Sequence, residues 1–209
     1  MKKKLYPVLC FLIFCASCNY LAEEKPIDDY PQVGSNSIMG YDLTLNLQQF
    51  RDTYKDKEVD CQDDHVVPLS EGYYTSKFKY PIKTCHYQGQ VIVEFTDIVN
   101  SDYQIKQFRK DYKTQSYPLE KVLSTLGDSL GRRFTVAAPT DLYTNQDARI
   151  YGHQRFHKGV LYIFGKQQWE GRQKNKEVST AELGRIQYVN DQLENKIQDV
   201  LRAKRDRGR

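Results

Sequence analysis

The sequence predicts an α+β fold: an antiparallel sheet of hairpins with helices packed on one side and a long C-terminal helix. Val91, Val93 and Phe95 alternate with Ile92, Glu94 and Thr96, the period of a strand with one buried face. Leu119, Val122, Leu123, Leu126 and Leu130 recur at helical spacing instead. A second helical stripe, from Leu183 through Ile186, Val189, Leu193 and Ile197 to Val200, closes the chain.

The elements follow in order. Asn46 and Gln49 form a capping box, Leu45 and Phe50 a hydrophobic staple, and Leu47, Phe50 and Tyr54 share one helical face. The acidic run Asp60, Asp63, Asp64 with His65 reads as a polar loop to about residue 76. Residues 77–87 and 90–98 form a hairpin around Gln88-Gly89. A short helical segment is expected around Ile105, Phe108 and Tyr112. The next helix has Pro118 in its first turn and Gly131 as its stop. Strands are expected at 134–137, 148–156 and 160–165, the last two flanking His157-Lys158-Gly159. A capping box of Ser179 and Glu182 opens the final helix, about 37 Å long if it runs unbroken to Lys204. The order suggests two αββ-type units, with 39–113 and 114–205 as candidate halves of one domain spanning 39–205, followed by a basic tail, 206–209.

The N-terminal stretch is of another kind. Lys2, Lys3 and Lys4 precede an apolar run from Leu5 to Phe14, then the small residues Cys15-Ala16-Ser17 and Cys18. The run is too short for a membrane span and has the build of a signal peptide over 1–17. It resembles a bacterial lipobox, with Cys15 where leucine is usual. The resemblance implies that Cys18 is lipidated and becomes the mature N-terminus. Asn19 after it, by resemblance to sorted lipoproteins, implies the outer membrane, facing the periplasm. Residues 18–38, with Pro26, Pro31 and Gly34 and no apolar period, read as a flexible tether of about 25 Å mean reach.

Removing residues 1–17 takes away three lysines and no acid, so the +4 of the whole chain falls to +1. No nucleic-acid partner is expected from that charge. The remaining positive cluster, Arg202, Lys204, Arg205, Arg207 and Arg209, suits a helix C-terminus. With Cys10 and Cys15 gone and Cys18 lipidated, Cys61 and Cys85 remain as an even pair, expected to form a disulfide in an oxidising compartment.

The lead-in Ile38-Met39-Gly40-Tyr41-Asp42-Leu43-Thr44-Leu45-Asn46-Leu47 resembles that of BamE/SmpA-like and β-lactamase-inhibitor-like αββ envelope lipoproteins. Asn46 and Leu45 stand where those units usually have small or Met residues. The resemblance implies a binding or assembly role without catalysis.

Three groups invite a sharper chemistry. Gly127-Asp128-Ser129-Leu130-Gly131 fits G-x-S-x-G and spells the GDSL signature, but a nucleophile elbow needs a strand ending at Leu126, where the periodicity is helical. No Asp-x-x-His occurs in the chain. Asp60, Asp63, Asp64 and His65 lack the glycine turn of an oxygen-ligand site. His153 and His157 lack placed partners, with Glu170 and Asp147 only near in sequence. No metal or cofactor is expected. Tyrosine is abundant, 16 residues, and Tyr73, Tyr74, Tyr80, Tyr87, Tyr151 and Tyr162 lie on or beside expected strands. Two readings stay open: a binding face for protein or sugar, or tyrosines covering a half-exposed sheet.

The leading expectation is a non-catalytic, membrane-anchored envelope lipoprotein. It would bind an envelope protein as an assembly factor or as an inhibitor or immunity-type protein, with glycan or peptidoglycan as a further ligand class. The rival is a small envelope hydrolase using Ser129.

Overall fold

The computed structural model describes residues 30–66, 79–112, 117–136, 148–166 and 182–207. The signal stretch, Cys18, and the tether up to residue 29 lie outside the described residues. The molecule is mixed α+β, and the described residues form three helices, an eight-stranded antiparallel sheet and a small two-stranded one. Residues 31–209 form one compact unit.

Two short strands, β1 (Ser37–Ile38) and β2 (Tyr41–Asp42), come first. Residues 31–38 were expected to be tether, and here that expectation fails. Val33 bridges Ile38, Ile38 is fully buried, and Leu43 N–H donates to the Asn36 carbonyl at 2.9 Å. Ile38 and Leu43 supply the apolar anchors that a tether lacks.

Helix α1 (Leu47–Tyr54) starts at the expected capping box. Asn46 Oδ1 accepts from Gln49 N–H at 2.9 Å, and Gln49 Oε1 accepts from Asn46 N–H at 3.1 Å. Four strands follow as a meander: β3 (Glu58–Val66), β4 (Tyr80–Tyr87), β5 (Val91–Thr96) and β6 (Gln104–Asp111). The sequence repeats this order with α2 (Leu119–Leu130), β7 (Thr135–Val136), β8 (Ala148–Phe156), β9 (Gly159–Lys166) and β10 (Glu182–Val189). Helix α3 (Asp191–Arg207) ends the chain.

The spatial order is β3-β4-β5-β6-β10-β9-β8-β7, so the two meanders join through their last strands. Each half is a helix followed by four strands, related by a pseudo-two-fold at the β6–β10 seam. Even the irregularities repeat. Glu94 faces Gln107 while Phe95 faces Ile105, leaving Lys106 as an extra residue. Phe164 faces Arg185 while Gly165 faces Leu183, leaving Gly184 as an extra residue. Both strands therefore carry a β-bulge at the same step.

These bulges correct two expectations. The segment around Ile105, Phe108 and Tyr112 is a strand, not a helix. The bulge at Lys106 puts Ile105 and Phe108 on one sheet face three residues apart, which counterfeits helical spacing. The bulge at Gly184 does the same for Leu183 and Ile186. The long final helix is consequently a strand followed by a 17-residue helix. Its cap is Asn190, whose Oδ1 accepts from Leu193 N–H at 3.0 Å while its Nδ2 donates to the Ile105 carbonyl at 3.1 Å. The acidic run is also corrected: Asp60 to His65 form the edge strand β3, paired along its length with β4.

One row of buried side chains crosses the sheet through the register: Cys85, Val93, Phe108, Tyr188, Leu161 and Gln154. Helices α1 and α2 cover this face. Phe50 of α1 meets Tyr87 and Phe95 with ring centres 5.4 and 5.5 Å apart. Under α2, Gly152 lies so close to Leu123 that an added Cβ would stand 3.1 Å from its Cδ2. Helix α3 packs on the opposite face. On β4, Tyr80 and Ile82 point away from Cys85 and Tyr87 by the two-residue alternation, and they form a cluster with Leu193, Ile197 and Leu201.

Cys61 and Cys85 sit directly opposite each other in the β3–β4 register, their Cα atoms 4.0 Å apart and their sulfurs bonded. The bridge thus fastens an edge strand rather than a loop.

Candidate functional site

The face opposite α1 and α2 carries the candidate site, because α3 covers only part of it. A continuous cross-strand row runs there from one sheet edge to the other: Asp60, His86, Ile92, Arg109, Gln187, Tyr162, His153 and Thr135. His86, Ile92, Arg109, Gln187, Tyr162 and His153 are all half-buried. Helix α3 lies beside this row, held by Glu194 to Lys106 at 3.9 Å and by Asp191 to Arg155.

The next row gives the site its charge. Asp111 meets both Arg185 Nε at 2.7 Å and Arg109 Nε at 3.2 Å, so one carboxylate serves two guanidiniums and the cluster stays positive. Arg185 lies over the Phe164 ring at 5.6 Å, a cation–π arrangement that holds the guanidinium flat on the sheet. Tyr162 lies between His153 and Phe164, with ring centres 6.3 and 6.4 Å apart. Gln187 Nε2 donates to Gln107 Oε1 at 3.1 Å across the seam. The result is a flat surface of aromatic rings and Arg fixed by neighbours, chemistry suited to holding a partner.

Of the expected tyrosines whose side chains are described, Tyr162 is placed on this surface. Tyr80 is 1% exposed beneath α3 and Tyr87 is 2% exposed beneath α1, so neither reaches a partner. Burial pushes both phenols above the usual tyrosine range, with Glu194 and then Glu94 adding at Tyr80 and Glu58 at Tyr87. Their apolar rings complete the core, and that is the physical reason the binding expectation fails for them. Tyr73 and Tyr74 lie outside the described residues, as does the side chain of Tyr151 on β8.

The other candidates separate in space. Ser129 is exposed in the last turn of α2, and its hydroxyl donates to the Thr125 carbonyl at 2.9 Å. The five-residue stretch around it is a helix end: Gly131, at φ 63°, donates its N–H to Asp128 O at 3.1 Å. A pocket of about 660 Å³ beside it includes Asp128, Arg132, Arg133 and Phe134 in its wall. His153 belongs to the sheet row, whereas His157 sits in the β8–β9 turn with Nδ1 2.9 Å from Asn36 Oδ1. Asp60, Asp63 and Asp64 are exposed on β3, with Asp63 3.0 Å from Lys83. Among the described residues, no three His, Cys, Asp or Glu side chains gather as metal ligands. No described helix is long and apolar enough to cross a membrane.

Arg109, Gln187 and Arg185 escaped the sequence reading because β6 and β10 read as helix. Reading β6 as a strand would have put Arg109 and Asp111 on a common face by the two-residue alternation. No protein-family model, curated protein or solved structure matches this chain.

Proposed function

We propose that this chain is a lipid-anchored, non-catalytic binding protein of the bacterial cell envelope, attached through Cys18 and facing the periplasm. Its partner is an envelope protein, held against the row Arg109, Gln187, Tyr162 and His153 and the flank of α3. The observation that carries this reading is the half-buried row of aromatic and Arg side chains on a sheet face that α3 covers only in part. Residues of these types dominate binding energy at protein interfaces. Helix α3 adds a second element to the surface, since beyond Leu201 it buries no side chain. The lipobox resemblance and an even cysteine pair support the exported address.

The test is crosslinking in living cells from the full lipidated chain, followed by mass spectrometry. One protein should be recovered in stoichiometric amount and lost when Tyr162→Ala and Arg109→Ala are combined. Recovery of lipid and peptidoglycan fragments alone would overturn the reading.

A further inference from the structure

We infer that the protein partner presents an acidic segment to the open sheet face, its carboxylates docking on Arg109 and Arg185. This rests on the protein-binding reading above and narrows it to one chemistry. The starting point is an imbalance of charge. Beside α3, the cations of the sheet have acids of their own. Lys106 lies 3.4 Å from Glu94 and 3.9 Å from Glu194, and Arg155 meets Asp191. Away from α3, Arg109 and Arg185 share Asp111, and among the described residues neither pairs with a second acid.

The neighbouring acids do not correct this surplus. The four acids of α3 are engaged elsewhere: Asp191 with Arg155, Glu194 with Lys106, Asp199 with Arg202 and Asp206 with Arg205. On β10, Glu182 stands opposite Lys166 in the register. Asp60 ends the row three strands from Arg109. At ordinary strand spacing that is about 14 Å, beyond the screening length of about 10 Å in 0.1 M salt.

Geometry is the second observation. The Arg109 and Arg185 side chains are 30% and 31% exposed, so they are part of the sheet surface rather than loose cations in water. Arg185 is held twice, by Asp111 at 2.7 Å and by the Phe164 ring beneath it. Each guanidinium has five N–H donors, and one shared carboxylate leaves several of them for a partner. A carboxylate takes two at once in the plane of the fork. Because these side chains are already fixed, docking orders them little further. Ile92 beside Arg109 and Tyr162 beside Gln187, both half-buried, add apolar contact on either flank. A basic segment would meet like charge here, and a neutral one would cover the surplus without answering it.

Carbodiimide coupling on cell envelopes carrying the full lipidated chain tests it, since that reagent joins an amine to a carboxylate with no spacer. Arg109→Lys and Arg185→Lys each keep the charge and supply the amine. Asp111→Asn is added to both, so that the internal carboxylate cannot react. Mass spectrometry should find the new amines joined to aspartate or glutamate of one protein. In the otherwise native chain, Arg109→Glu with Arg185→Glu should lower capture of that protein by an amine-reactive crosslinker at least about tenfold. Asp111→Asn alone should not lower it. Thermal unfolding checks that the double variant folds; if it does not, Arg109→Gln carries the test with a loss of about threefold. Capture that survives the reversal, or that Asp111→Asn lowers equally, would overturn the acidic assignment and leave the protein-binding reading standing. Coupling to glycan or lipid alone, or capture of no protein, would overturn both.

Discussion

The two halves share a topology and are secured by different means. The first half has an aromatic core in which Tyr41, Phe50, Tyr87, Phe95 and Phe108 are in mutual ring contact. The second half packs mainly aliphatic side chains, Val122, Leu126, Leu161, Ile163 and Ile186, under α2. The first ends in a nine-residue edge strand closed by a disulfide, and α3 packs on its other face. The second ends in a two-residue edge strand. The comparison teaches that one half is braced by a disulfide and by a helix on its second face, while the other leaves Tyr162 and His153 half-buried on an open face.

The largest expected effect breaks the aromatic core. Phe50→Ala should cost about 4 kcal/mol in urea unfolding, against about 2.5 kcal/mol for Val122→Ala at the corresponding place in α2. Equal losses would show that the halves are packed alike.

Next comes the disulfide. Replacing Cys61 and Cys85 by alanine should cost about 3 kcal/mol on the chain-entropy model for a separation of 24 residues. Hydrogen exchange should quicken in β3 and β4 while β9 stays protected. Uniform quickening over both halves would contradict the division of labour.

A smaller effect separates the helix ends. Gly131 caps α2 in the left-handed region, so Gly131→Ala should cost about 1 kcal/mol. Lys55 ends α1 in ordinary helical geometry, and Lys55→Ala should leave the unfolding midpoint in place.

The smallest is a pH effect at the β8–β9 turn. Burial, and then the neighbouring Lys158, lowers the His157 pKa below its usual value, with Asp42 opposing. The folded state therefore binds its proton less readily than the unfolded chain. Its contribution is intact above the unfolded value of about 6.5 and is lost as pH falls through and below it. Thermal unfolding at pH 7.5 and 5.5 should show a smaller acid loss in His157→Asn, which also tolerates the left-handed φ of 50°. An identical acid loss in the variant would remove His157 from the account.

Much of the fold was legible where local signals act alone. The capping box at Asn46, the stop at Gly131, the hairpin at Gln88-Gly89 and the alternation of β5 all appear as read. The failures at β6 and β10 share a cause. A bulge turns a two-residue step into a three-residue one, so Ile105 and Phe108, like Leu183 and Ile186, imitate a helix stripe. Edge strand β3 failed for another reason: its acids face water, so no apolar alternation marks it. The candidate site was less legible still. It is a row drawn from strands β3 to β10, and register, which assembles that row, is not written in any one segment.

The acidity of β3 has a consequence for solubility. A long edge strand presents unpaired backbone groups that invite a second chain to add itself to the sheet. Here Glu58, Asp60, Asp63 and Asp64 lie along that edge, so two copies aligning edge to edge would bring carboxylates against carboxylates. Crowding many copies together raises that hazard, and the repulsion opposes it.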